Sequence, residues 1–310
     1  MMTKEMSWKR DLLPLVFSGF LFVLIQGLAL LTIKPFQEAG VQPAFENPND
    51  PLNILYIFSI IIVFTIVILL IAKFWKKQLI QVIILGAIGY TILFVLFPLI
   101  ALVMPGFSLI ALLLSLLIAG LLIYLLVKFP EWYIIDLCGI IVGTGAIAIF
   151  GISLSIPLVI ILLIILAVYD AISVYKTKHM IDLADTVMDL KLPVLLVVPK
   201  KRRYSLIKET QSLKAQLKDD KEREAFFIGL GDVVMPGILV ATVYHSLSQG
   251  LPLAIATMIG TLAGFAVLMT FVLKGKPQAG LPALCGGAIL GFLVSSYLMF
   301  GTIVGVNFPF

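Results

Sequence analysis

The sequence predicts an all-α polytopic membrane protein of nine transmembrane helices, and three observations predict it. Hydrophobic residues make up 61% of the 310-residue chain and charged residues 13%, whereas a soluble domain holds about 45–50% apolar residues. The apolar residues fall into nine continuous runs, each near the ~20 residues that a helix needs to cross a ~30 Å hydrocarbon core. The basic residues gather on one side of the connections between those runs. A spanning β-barrel is excluded, since its strands would alternate in polarity with period two.

In order, the runs cover roughly 12–33, 52–72, 79–102, 107–127, 133–151, 156–175, 225–246, 252–273 and 281–301. The first is too long for a cleaved secretory segment and lacks an A-x-A site, so it counts as a helix. With the N-terminus in the cytoplasm, the cytoplasmic side receives Lys4, Lys9 and Arg10, then Lys73, Lys76 and Lys77, and then Lys128. The stretch from Lys176 to Arg223 and the pair Lys274 and Lys276 fall on the same side. Together these are 21 of the 22 basic side chains, with Lys34 the exception. The first outer loop carries Glu38, Glu46 and Asp50, and the other outer connections carry no charge. This is the positive-inside asymmetry; an odd span count then leaves the C-terminus extracellular. The net charge of +5 therefore reports topology and contact with anionic lipid headgroups, and no nucleic-acid partner is expected.

The first five spans read as scaffold without a deep charge. Small residues at four-residue spacing, Gly139 and Gly143, Gly260 and Gly264, and Ala283, Gly287 and Gly291, suit close helix packing. Cys138 and Cys285 fall within spans and read as packing residues, since two thiols define neither a metal site nor a disulfide framework.

The one sizeable polar connection runs from about Lys176 to Glu224. Residues 180–190 suit an amphipathic helix with Asp182, Asp185 and Asp189 on one face. A short β-like run, Val194 to Val198, lies between Pro193 and Pro199. The block Lys200, Lys201, Arg202 and Arg203 should lie along the membrane surface, and residues 205–223 form a charged segment, expected to be mobile or only partly helical. The connection serves either as a tether or, through its strand, as a place for a substrate to add a further strand.

Two carboxylates stand deep in apolar spans: Asp170 in the sixth and Asp232 in the seventh. A charge at the bilayer centre costs about 2.5–3.5 kcal/mol even on the lenient insertion scale, so such groups point to function. Asp170 lies six residues before Lys176 and Asp232 eight residues after Glu224. At 1.5 Å per residue these are depths of about 9 and 12 Å below the same surface. Consecutive antiparallel helices commonly neighbour one another, so the two can face each other. Paired carboxylates in a low-dielectric site share a proton, as in aspartic proteases. The ionised member can then take a proton from water while the protonated one polarises a carbonyl.

Glycines bracket the second acid, Gly229 and Gly231 around Leu230, and remove bulk where another backbone could approach. Pro236 removes the helical donor that would satisfy the carbonyl of Asp232. The ninth span opens with Gly280, Leu281, Pro282, Ala283 and Leu284 at a matching depth.

Three motifs, Tyr169-Asp170, Gly229-Leu230-Gly231-Asp232 and Pro282-Ala283-Leu284, lie on the sixth, seventh and ninth of nine spans. In these the chain resembles the presenilin and signal peptide peptidase family of intramembrane aspartyl proteases, over roughly residues 156–300. The resemblance implies an endopeptidase that hydrolyses peptide bonds within or near transmembrane segments, with Asp170 and Asp232 as catalytic pair. Pro282, Ala283 and Leu284 would shape the site and receive substrate, with Tyr169, Gly229, Leu230 and Gly231 as motif members. It implies transmembrane-protein or signal-peptide substrates, no metal or other cofactor, and a multi-pass protein of the cell membrane, with homo-oligomers left open. Residues 1–155 would form the scaffold and 156–310 the catalytic part, with cytoplasmic loop 176–224. The VVMPG continuation after Asp232 is more similar to the signal peptide peptidase branch. The orientation is more similar to presenilin, and the short chain to a microbial homologue, of archaeal type.

Other intramembrane proteases lack their parts here. The only histidines, His179 and His245, cannot form the H-E-x-x-H of a zinc enzyme. Ser18-Gly19 is preceded by Val16 where a rhomboid-type enzyme has glycine, and a prepilin peptidase would share only the G-x-G-D element. The alternative from another class is a proton-coupled transporter or cation channel, which also uses intramembrane acids, although the chain shows no inverted repeat of the kind transporters carry.

Overall fold

The computed structural model describes residues 2–74, 77–174, 195–200, 204–206, 225–273 and 278–306. Among them the order is α1 (Met2–Glu38), α2 (Leu52–Phe74), α3 (Lys77–Val103), α4 (Ser108–Lys128), α5 (Trp132–Ser153) and α6 (Ile156–Ile172). Strands β1 (Leu195–Pro199) and β2 (Ala225–Gly229) follow, then α7 (Leu230–Ser246), α8 (Gly250–Val272) and α9 (Gly280–Phe300). Each predicted span is thus represented by one helix. Six of the helices are long and apolar enough to cross a membrane, in α1, α3, α4, α5, α8 and α9. The apolar parts of α2, α6 and α7 are shorter, Leu52–Val67, Ile156–Ile172 and Leu230–Ser246.

The seventh span differs most from its prediction. Its first five residues, Ala225–Gly229, are a strand paired antiparallel with β1, from Leu195↔Gly229 to Pro199↔Ala225. A short apolar run does not by itself distinguish a buried strand from a helix. Here Phe226, Phe227 and Ile228 are residues that favour strands. The β-like run expected at 194–198 is found as β1, whose last residue is Pro199; Val194 lies outside the described residues. The expected helix at 180–190, residues 201–203 of the basic block and all of 207–223 lie outside the described residues. Lys200 sits over the Phe226 ring, 4.3 Å from its centroid.

Helices α5 and α7 form the middle of the bundle, and glycine lets them meet. A side-chain carbon added at Gly143 would lie 3.2 Å from both Ile25 of α1 and Leu230 of α7. Gly151 faces Ala241, and Gly237 faces Ile147 and Gln26. Val233, Val240, Ala241 and Val243 are fully buried in the resulting core, with Phe22 and Ile25 of α1, Leu163 of α6, Leu253 of α8 and Phe292 of α9. The scaffold and the motif-bearing helices therefore share one core.

Along the other flank, α8 and α9 touch backbone to backbone. Gly260 meets the Gly287 carbonyl and Gly291, while Gly264 meets the Ala283 carbonyl. This is the small-residue packing read from the spacing, and it holds where lipid tails give helices no hydrophobic reason to associate. By contrast, α2 and α4 expose long apolar faces, including Ile60, Ile62 and Phe64 and Leu113, Leu116 and Leu117. Such faces suit hydrocarbon as solvent.

Candidate active site

Asp170 lies in the last turn of α6 and is 4% exposed. Its Oδ2 accepts the backbone N–H of Leu281 at 3.0 Å, and the Gly280 amide is also directed at this carboxylate. These are the first two residues of α9. The first four amides of a helix have no partner within it, and the residue that would ordinarily cap α9, Ala279, makes no side-chain cap bond. A carboxylate from α6 takes that place, where an anion is also favoured by the helix dipole.

Asp232 lies in the first turn of α7, directly after β2. Its carboxylate is lined by two glycines. A side-chain carbon at Gly280 would lie 3.1 Å from Asp232 Oδ2 and one at Gly229 would lie 3.2 Å from the same oxygen. Both acids therefore meet on one peptide segment: Asp170 bonds its amides and Asp232 lies against its first α-carbon. They are near enough to interact electrostatically. Cys285, fully buried one turn further along α9, lies near both.

The remaining motif residues divide by role in the packing. Leu230 is buried and packs onto Gly143. Gly231 faces open space, with nothing within 4 Å of an added side-chain carbon, so it is Gly231 that leaves room for another backbone. The tight contact of Gly229 is with Asp232 itself. Leu284 is fully buried, and Ala283 is held through its carbonyl against Gly264 of α8. Pro282 is the third residue of α9, where its missing N–H costs no intrahelical bond. Pro236 sits inside α7, which continues past it to Ser246. Tyr169 is 69% exposed and lies on the outer surface of α6, turned away from its neighbour Asp170.

Two acids missed in the sequence reading lie beside the hairpin. The first five spans do contain a buried acid: Asp136 of α5 is 4% exposed and its Oδ1 accepts the N–H of Val197 in β1 at 2.7 Å. Glu131, the residue before α5, accepts from Ser205 Oγ at 2.6 Å and from the Leu206 N–H at 3.1 Å. Asp136 lies only three residues inside the predicted fifth span and so resembles an interfacial charge; nothing local announces its strand partner. His245, in the last turn of α7, lies 3.4 Å from the amide of Gln37, and His179 is outside the described residues. No three His, Cys, Asp or Glu side chains among the described residues gather as a metal site.

The chain matches the family described as signal-peptide peptidase, presenilin aspartyl protease over residues 19–302. Two solved structures are similar to it, both described as a presenilin family intramembrane aspartate protease. One, in a C222 crystal form, is 34% identical with a TM-score of 0.70, covering 92% of this chain and 99% of its own. The other, in a P2 form, is 36% identical with a TM-score of 0.66, covering 90% and 96%. Curated protein sequences give no match.

Proposed function

The chain belongs to the signal-peptide peptidase and presenilin family of intramembrane aspartyl proteases, and within that assignment we propose that Asp170 and Asp232 are the hydrolytic pair. The observation that carries this reading is the meeting of both carboxylates on the Gly280–Leu281 segment. Family membership also sets aside the transporter alternative.

Hydrolysis then needs only the pair and one water. The ionised carboxylate takes a proton from the water, whose oxygen attacks the peptide carbonyl carbon. The protonated carboxylate gives its proton to the carbonyl oxygen and a tetrahedral diol forms. Return of a proton to the amide nitrogen breaks the C–N bond, leaving a carboxyl and an amine terminus. One shared proton alternates between the two acids, so they work as a single titrating unit.

The family acts on transmembrane substrates. For this chain we favour transmembrane proteins or signal peptides entering sideways between α6 and α9. Gly231 leaves open space beside Asp232, and the two-stranded sheet has β2 on one side while Asp136 occupies an amide of β1. An extended substrate segment would add to β2. The charge asymmetry supports nine spans with a cytoplasmic N-terminus and extracellular C-terminus in the cell membrane. Functionally, residues 1–155 support and 156–310 carry out the chemistry, with Pro282–Leu284 shaping the site.

Purified full-length protein in detergent, mixed with a transmembrane peptide, tests this reading. Asp170→Ala and Asp232→Ala should each abolish cleavage. Cleavage by either variant while folded would exclude the pair.

A further inference from the structure

Helix α7 begins at Leu230 without a linker after β2, and Asp232 follows two residues later. The position of Asp232 therefore depends on the position of the hairpin. The hairpin rests on α5 through an apolar cluster in which Val197, Tyr204, Leu206 and Ala225 surround Ile134, Ile135 and Cys138. Apolar contact is non-directional, and every residue of β1, Leu195 to Pro199, is apolar, so burial alone would accept either face of the strand against α5. A slip by one residue would turn every side chain of a strand to its other face, and strands of five residues have few pairs with which to resist one.

Asp136 supplies the missing direction. Its 2.7 Å bond to the Val197 N–H is directional, and a one-residue slip of β1 would turn that amide away and break it. The group is costly: among the described residues its Oδ2 is buried without a partner, and an unpaired buried polar atom forfeits the hydration it had in water. An apolar side chain would serve a purely cohesive role at less cost. Glu131 holds Ser205 and Leu206, beyond the other end of β1, from the same end of α5. On α7 itself, Leu230 and Val234 pack onto Gly143, two turns along α5 from Asp136.

We propose that Asp136 is a positioning residue for hydrolysis: by fixing β1, and through it β2, on α5, it sets where the Asp232 carboxylate stands relative to Asp170. This rests on the assignment of Asp170 and Asp232 as the reacting pair. Asp136 itself touches neither substrate nor the reacting atoms.

The test compares variants of the full chain in detergent, with kcat and KM measured on one transmembrane peptide and folding followed by thermal unfolding. A displacement of about 1 Å at a reacting group can cost on the order of 100-fold in rate. Asp136→Ala should lower kcat by about 10- to 100-fold with KM within about twofold. Asp136→Asn keeps an oxygen that accepts from Val197 and should restore kcat to within about threefold of the parent. Asp136→Glu keeps the carboxyl group but lengthens the arm, and should fall about tenfold below the Asn variant. A folded Ala variant with parental kcat overturns the proposal, as does an Asn variant as slow as Ala. If the Ala variant does not fold, the Asn and Glu variants decide, and equal kcat for those two overturns it. Asp170→Ala and Asp232→Ala run alongside; activity in either refutes the reacting pair itself, whatever the Asp136 variants do.

Discussion

The Asp170 carboxylate caps a helix to which it does not belong, accepting the Leu281 amide at 3.0 Å across from α6 to α9. On the proposed assignment of the reacting pair, one side chain thus combines hydrolysis with holding the start of α9.

That double role separates two substitutions. Asp170→Asn keeps an acceptor for the α9 amides but cannot act as a base, so it should lose cleavage while unfolding near the parental temperature. Asp170→Ala loses both, and should unfold earlier by the value of a cap, about 0.5–2 kcal/mol. Thermal unfolding of the two inactive proteins checks this. Equal stability would mean that the bond to Leu281 contributes nothing to the fold.

Gly280 and Gly231 should respond in opposite ways. A methyl at Gly280 would meet Asp232 Oδ2 at 3.1 Å, tighter than ordinary contact, and the carboxylate must give way. Gly280→Ala is expected to reduce kcat by about tenfold or more with little change in unfolding temperature. Gly231 lies in α7 with open space around it, so Gly231→Ala should fold as well as the parent or better, by up to about 1 kcal/mol. Its effect should appear in KM for a transmembrane peptide, because the added methyl enters the open space proposed to receive substrate.

Gly264 should matter although it is far from the reacting groups in sequence. Its α-carbon faces the Ala283 carbonyl, and a methyl there must push the start of α9 away from α8. Overpacking of this kind costs about 1–3 kcal/mol. Gly264→Ala should lower both the unfolding temperature and kcat. Gly120→Ala in α4, with nothing within 4 Å, is the matched control and should leave kcat unchanged. A Gly264→Ala protein of parental kcat would show that α9 does not need this seam to present Pro282–Leu284.

The sequence carried much of this arrangement. Each predicted span is represented by one helix because long apolar runs and one-sided basic loops are strong signals, and Asp170 and Asp232 stood out because acids in hydrocarbon are expensive. Their similar estimated depths, about 9 and 12 Å, anticipated that the two could face each other; that both reach the Gly280–Leu281 segment was not foreseen. The strand at Ala225–Gly229 was hidden because its apolar residues joined smoothly to those of α7, and burial alone does not reveal the backbone state. Asp136 was missed for a related reason. Its partner is a backbone amide 61 residues away in sequence, and a hydrogen bond to backbone leaves no mark on the partner's side chain. Gly264 was legible as a packing residue but not as the support of Ala283, since spacing says that a helix face is flat without saying what lies upon it.

The glycine face shared by α8 and α9 also constrains how the enzyme can move. Main-chain surfaces pressed together offer no protruding side chain that could slide and re-lodge. A gap of about 0.5–1 Å already forfeits a quarter to a half of each atomic attraction, and along a straight face those losses come together. Tilting α9 is therefore cheap only as an all-or-nothing parting from α8, so the proposed opening beside α6, on its other flank, would behave like a latch, shut or released, with little between.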